Sequence, residues 1–152
     1  MSKSEGVEVG MPVISVTRLR VRSWRFMPAF MLSALRIGKQ TAEAEGCLAA
    51  KVFRDRRRAF WTCTCWESDS AMKAFLVDGA HGEAMRKLLE WCDEASVAHW
   101  TQEDCELPSW DEAHRRMLRH GRASKVNHPS DAQKAFRIDE PDENARTERR
   151  LK

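Results

Sequence analysis

A chain of 152 residues, 42% hydrophobic and 32% charged, has the size and composition of one globular domain. Its 26 basic and 23 acidic residues are mixed along the chain and leave a net charge of +3, which argues against a nucleic-acid groove. No segment approaches the roughly 20 apolar residues of a membrane span and no secretory apolar run follows the first lysine, so a cytoplasmic protein without a membrane partner is expected.

Residues 1–11 read as a loose leader. The β-branched run VISVTRLRV that follows reads as a strand, with Val13, Ser15, Thr17, Leu19 and Val21 on one face and Ile14, Val16, Arg18 and Arg20 on the other. Phe26, Met27, Phe30, Met31, Ala34 and Leu35 then recur at helical spacing, which predicts a helix over about 24–39 with Gly38 as its stop signal. CLAAKVFRD and RAFWTCTCWES read as a second and third strand, joined by the exposed, charged tip RDRRR. A helix opens at Ser68 and Asp69, breaks at Asp78 and Gly79, and resumes with Met85, Leu88, Leu89 and Cys92. A last strand, SVAHWTQEDCE, follows.

This order is that of a ferredoxin-like βαββαβ unit, an α+β fold with a four-stranded antiparallel sheet, placed at residues 12–107. Residues 108–121 add a short amphipathic helix with Trp110, Ala113 and Met117 as its contact stripe. The polar residues 122–152 read as a mobile, flexible tail.

The stretch FWTCTCW carries no charge on either face, although a half-exposed strand would alternate. Two helices cover one face of a ferredoxin-like sheet, so something else must cover the second. The expectation is a second copy of the chain: a homodimer that closes a dimeric α/β barrel, with a pocket between its sheets. Five cysteines, at 47, 63, 65, 92 and 105, form an odd set with no disulfide-like spacing and are expected as free thiols, small core residues beside the tryptophans.

The run FWTCTCWESDSAMKAFLVDGAHGEAMRKLLEW, after a strand, a Phe- and Met-rich helix and a hairpin, resembles the dimeric α/β-barrel superfamily that includes the antibiotic-biosynthesis monooxygenases. Its WES, AM and GAH pattern is similar to members related to spheroidene monooxygenase. The resemblance covers about residues 12–105 and implies an oxygenase-like enzyme, with haem as cofactor or with none. It does not extend to the haem-degrading branch: the first strand offers no Asn, and Phe75 and Met85 stand where that branch has Trp and His.

Several residues are candidates for the site. His81, beside the helix break, suits a haem ligand or a general base, or else a cap of the resumed helix. His99 alternates with Trp100 on the last strand, so one of the pair faces the helices and the other the cavity. Arg18 and Arg20 would hold an anionic substrate if they reach the pocket, and are otherwise solvated. Trp61, Trp66 and Phe30 are pocket-lining candidates, with the two tryptophans on opposite faces. Cys63 and Cys65 share a face but lack the partner pair that structural zinc requires.

The resulting expectation is a homodimeric monooxygenase-like enzyme for a hydrophobic aromatic or polyene metabolite, with His81, His99 and Arg18 as catalytic candidates. The alternatives are a ligand-binding or dimerisation protein without chemistry, and a non-redox cyclase or isomerase.

Overall fold

A computed structural model describes residues 10–142, 144 and 147–152; most of the expected leader lies outside the described residues. The order is β1 (Val13–Val21), a 3-10 turn (Trp24–Phe26), α1 (Met27–Glu43), β2 (Cys47–Arg54), β3 (Ala59–Trp66), α2 (Asp69–Leu76), α3 (Gly79–Trp91), β4 (Cys92–Thr101), α4 (Trp110–His120), β5 (Arg122–Ala123), α5 (Asp131–Lys134) and β6 (Glu148–Arg150). The sheet runs β5-β4-β1-β3-β2-β6, antiparallel throughout. Its four long strands are the ferredoxin-like sheet, but six strands are present among the described residues, because the C-terminal stretch supplies a short strand at each edge.

Local chemistry explains most boundaries. Ser68 caps α2 by accepting from the Ala71 N–H at 3.1 Å, and Ser109 caps α4 by accepting from the Glu112 N–H at 3.1 Å. Helix α4 also carries Asp111 and Glu112 in its first turn and Arg119 and His120 in its last, matching the helix dipole. Gly38 does not stop α1, which continues to Glu43. A β-carbon at Gly38 would meet the Leu151 side chain at 3.6 Å, an ordinary packing contact. Helix α3 passes into β4 with no loop, which places Cys92, Asp93 and Glu94 in the strand and not in the helix as the spacing predicts. At the β2–β3 tip Arg57 (φ 59°) and Arg58 (φ 64°) are both left-handed, and the Ala59 N–H donates to Arg56 O. This is the hand of a two-residue turn that fits strand twist.

The uncharged strand is covered on both faces. On one, α1, α2 and α3 pack Met27, Phe30, Met72 and Leu88 against Val13, Val21, Ala50, Trp66, Cys92 and Ala95. On the other, Ile14, Val16, Phe53, Trp61, Cys63, Cys65 and Ala98 meet Trp110, Ala113 and Met117 of α4. The expected second copy is not required for that cover, because the chain's own C-terminal segment provides it.

That segment is not a loose tail but a belt around the sheet. The Asn127 N–H donates to Leu89 O, and Val126 packs on the helix side. Gln133 behaves as a strand partner: its Oε1 accepts from the Ala95 N–H, and its Nε2 donates to the Ala95 and Ser124 carbonyls. Ile138 O meets His114 Nε2 at 2.8 Å, the Asp142 N–H donates to Asp55 Oδ1 at 3.0 Å, and β6 pairs with β2. Among the described residues no helix is long and apolar enough to cross a membrane.

Candidate functional site

The predicted site residues divide between the two sides of the sheet. Arg18, Arg20, Trp61 and Trp100 lie on the side covered by α4. Phe30, Trp66 and His99 lie on the helix side, with His81 in the helix layer itself. The structure does not gather them into one pocket.

On the α4 side the polar groups are already engaged. Arg18 is 3% exposed, and its Nη1 donates to Glu94 Oε1 at 2.7 Å, while the guanidinium sits 5.9 Å from the Trp61 ring centre. Arg20 grips Asp93 with Nε at 3.0 Å and Nη2 at 2.8 Å, and Ser130 Oγ donates to the second oxygen of Glu94. The arginines expected in solvent or on a substrate anion are thus neutralised by carboxylates of β4. Only Arg18 Nε is buried without a partner among the described residues. Trp61 is fully buried, and its Nε1 donates to Asp55 Oδ2 at 3.1 Å, so the charged tip hides one acid in the core. Trp100 lies under the Arg116 guanidinium at 4.6 Å, beside a shallow cleft of about 450 Å³ that Leu107 and Glu112 help to line.

The cysteines depart from expectation. Cys65 and Cys105 form a disulfide across the sheet, with Cα atoms 5.7 Å apart, at the point where residues 102–109 lead from β4 to α4. Cys47, Cys63 and Cys92 are free and buried. Burial pushes the Cys63 and Cys92 thiols up to about 12 and raises Cys47, so all three stay protonated and inert as nucleophiles. No group of three or more metal-ligating side chains occurs among the described residues.

On the helix side, Phe30 and Trp66 are core residues. Phe30 packs on Phe60 with ring centres 4.7 Å apart, and Trp66 packs on Phe75 at 5.0 Å while donating from Nε1 to Thr64. His99 pairs in register with Ser15; burial lowers its pKa first, then the charge of Arg122.

His81 is held in a different way. Gly79 takes φ 51°, Asp78 opens α3, and the turn brings His81 Nδ1 to 3.0 Å from Leu76 O, with the ring 5.0 Å from that of Phe75. A carbonyl only accepts, so Nδ1 carries the proton and Nε2 keeps its lone pair. Burial lowers the pKa of the ring, against the opposing pull of the Leu76 carbonyl, so the imidazole is neutral near pH 7. Near it in the chain Val77, at the break, is 81% exposed and Met85, one turn along α3, is 49% exposed, beside the exposed charged residues Asp78 and Glu83. The helix break was legible in the sequence; Gln40, Asp55, Asp93 and Glu94 were not, because polar residues on a helix or a charged tip carry no sign of a buried partner.

A neutral imidazole nitrogen is what a haem iron would require of His81. The face expected to receive the planar macrocycle, however, is filled by Trp110, Ala113 and Met117 and lies across the sheet from His81. The residues therefore do not fit a haem held between sheets, and no chemical step is derived through one.

The fold is that of the antibiotic-biosynthesis-monooxygenase-like proteins. It is similar to SnoaB, a cofactor-independent oxygenase from Streptomyces nogalater, with a TM-score of 0.50 and 18% identity over 66% of this chain and 100% of that one. It is similar as well to a conserved protein from Methanosarcina mazei Go1, with a TM-score of 0.54 and 16% identity over 60% of this chain and 93% of that one. An antibiotic biosynthesis monooxygenase matches with a TM-score of 0.54 and 11% identity over 59% and 97%. Residues 34–149 match the family described as a domain of unknown function, DUF3291, and the chain belongs to that family. The match reaches past α4 and into β6, so the belt is part of the family's domain, whereas the structural neighbours leave much of this chain without a counterpart. No curated protein matches the chain.

Proposed function

We propose that the protein is a monooxygenase-like enzyme that oxidises an electron-rich hydrophobic substrate with dioxygen, using His81 as its general base at the α2–α3 break. The observation that carries this reading is the fixed, neutral His81 ring, whose bare Nε2 stands on a surface where Val77 and Met85 remain exposed. Apolar exposure of that kind suits an aromatic or polyene ligand. In the proposed reaction Nε2 removes a proton from an acidic methylene, and the resulting anion reduces dioxygen. The methylene becomes a carbonyl, one oxygen atom stays in the product and the other leaves as water, so the substrate supplies all the electrons. His99 and Arg18 have no part in this step, since one faces β1 and α2 and the other is sealed beneath α4.

The test is oxygen uptake with a panel of hydroquinones, anthrone-like aromatics and polyenes, comparing the wild type with His81→Asn and His81→Gln. Asn keeps a donor for Leu76 O but has nothing at the Nε2 position, so it should fold normally and lose activity by about 100-fold or more, the usual worth of a general base. Because the base must be neutral, kcat/KM should rise with pH through a midpoint below 6.5 and then level. Full activity in His81→Asn would remove His81 as the base, and no oxygen uptake by the wild type with any of the panel would leave a binding protein in place of an enzyme.

A further inference from the structure

A break between two helices strands the last carbonyls of the first and the first N–H groups of the second. Here one of those groups, the His81 N–H, is taken by a side chain from a third helix, which also donates to the Asp78 carbonyl that accepts the Gly82 N–H. Gln40 of α1 accepts the His81 N–H at Oε1, 2.8 Å away, and donates from Nε2 to Asp78 O, also 2.8 Å away. Gly79, one of the two residues between them, leaves the space that makes this approach easy: a β-carbon there would stand 3.3 Å from the Gln40 amide. On the far side of the turn, a β-carbon on Gly82 would lie 2.6 Å from Val77 O, so the two helix ends approach closely there. A primary amide carries a donor and an acceptor in one plane, as a peptide does.

We propose that Gln40 is the positioning residue of His81: its amide stands in for the missing peptide at the helix break and so sets where the His81 ring lies and which ring nitrogen is left bare. Its functional consequence rests on the reading of His81 as the base, but its geometric consequence does not. With His81 N and Asp78 O both tied to α1, the ring can reach back only to Leu76 O. Released, the His81 N–H would turn to water while Asp78 O keeps its bond from the Gly82 N–H, since the Gln40–Asp78 contact is at the surface. The fold should therefore survive loss of the amide while the ring is freed.

The experiment is long-range nitrogen–proton NMR of the histidine rings in the full-length protein, for the wild type, Gln40→Met and Gln40→Glu, with oxygen uptake measured alongside. The wild type should show His81 with its proton on Nδ1. Gln40→Met, of similar size but without the amide, should show a mixture of tautomers and a titration midpoint moved back toward the ordinary value. Gln40→Glu keeps the acceptor for the His81 N–H, so the tautomer should persist, while the added negative charge raises the midpoint. Activity in Gln40→Met should fall about tenfold in kcat with KM little changed, as expected when a reacting group is misplaced. An unchanged tautomer and midpoint in Gln40→Met overturns the assignment. If instead the ring responds as expected while His81→Asn keeps full activity, Gln40 stands as the positioning residue and the catalytic reading falls.

Discussion

The two sides of the sheet bury apolar residues equally well but treat their polar groups in opposite ways. On the α4 side Arg18 meets Glu94, Arg20 meets Asp93, and Trp61 meets Asp55, so each charge there has a partner, although Arg18 Nε stays buried without one. On the helix side a tied, half-buried histidine retains one bare nitrogen, on a helix turn that also exposes Val77 and Met85. Saturated polar networks give specificity and stability, and an unsatisfied group kept at the rim of a core is where chemistry can act. The difference argues for reading the belt as a structural cover and the helix break as the working region.

The largest expected effect comes from breaking the closed side. Glu94→Ala would leave Arg18 buried at 3% exposure without its carboxylate, which should destabilise the protein by about 3–5 kcal/mol in urea unfolding. Replacing the pair together, Arg18→Met with Glu94→Leu, should lose far less, because no orphaned charge remains. A double variant as unstable as Glu94→Ala would show that the ion pair is needed for more than its own neutralisation.

A smaller effect should follow from opening the disulfide that starts the belt. Cys65 is fully buried in β3 and Cys105 lies in the connection to α4, 40 positions further along the chain. Cys105→Ser should lower stability by about 2–4 kcal/mol. Hydrogen exchange should rise in residues 102–120 and stay unchanged in α1 and α2. Uniform loss of protection through both sides would mean that cover and helix layer unfold as one unit.

How much of this was readable in advance follows from what each element uses to hold itself. The ferredoxin-like order and the double cover of FWTCTCW came from hydrophobic spacing, as did the α4 stripe of Trp110, Ala113 and Met117. What covered the second face was misassigned to another copy, because spacing shows that a stripe is buried but not against what. Residues 122–142 looked loose for a related reason. They are anchored by Gln133, Ser130 and Asn127 through hydrogen bonds to β4 and α3, and such bonds leave no periodicity in a sequence. The Cys65–Cys105 link is a product of the β4-β1-β3 order, since only the folded sheet brings position 105 over position 65. Likewise Asp93 and Glu94 fit a helix surface in the sequence, and become buried partners only when β4 lies beside Arg18 and Arg20.

The smallest effect is also the one that separates the two sides by titration. Burial lowers the pKa of both His81 and His99, and both belong to the helix side. A group whose folded pKa lies below its unfolded value of 6.5 takes up protons more readily when unfolded, so folding stability must rise with pH across the interval between the two. The contribution is complete above pH 6.5 and is lost progressively as pH falls toward the folded pKa. The lowered carboxylates Glu90 and Glu112 act in the same direction but only below their ordinary value of 4.5, outside that window. Urea midpoints measured from pH 7.5 to 5 should therefore decline in the wild type and decline less in His81→Asn or His99→Asn, least of all in the double variant. Hydrogen exchange, corrected for its intrinsic pH dependence, should show the added opening in α2 and α3 before α4. A decline of equal size in the double variant would place the titrating group elsewhere and remove the distinction between a closed side and a working one.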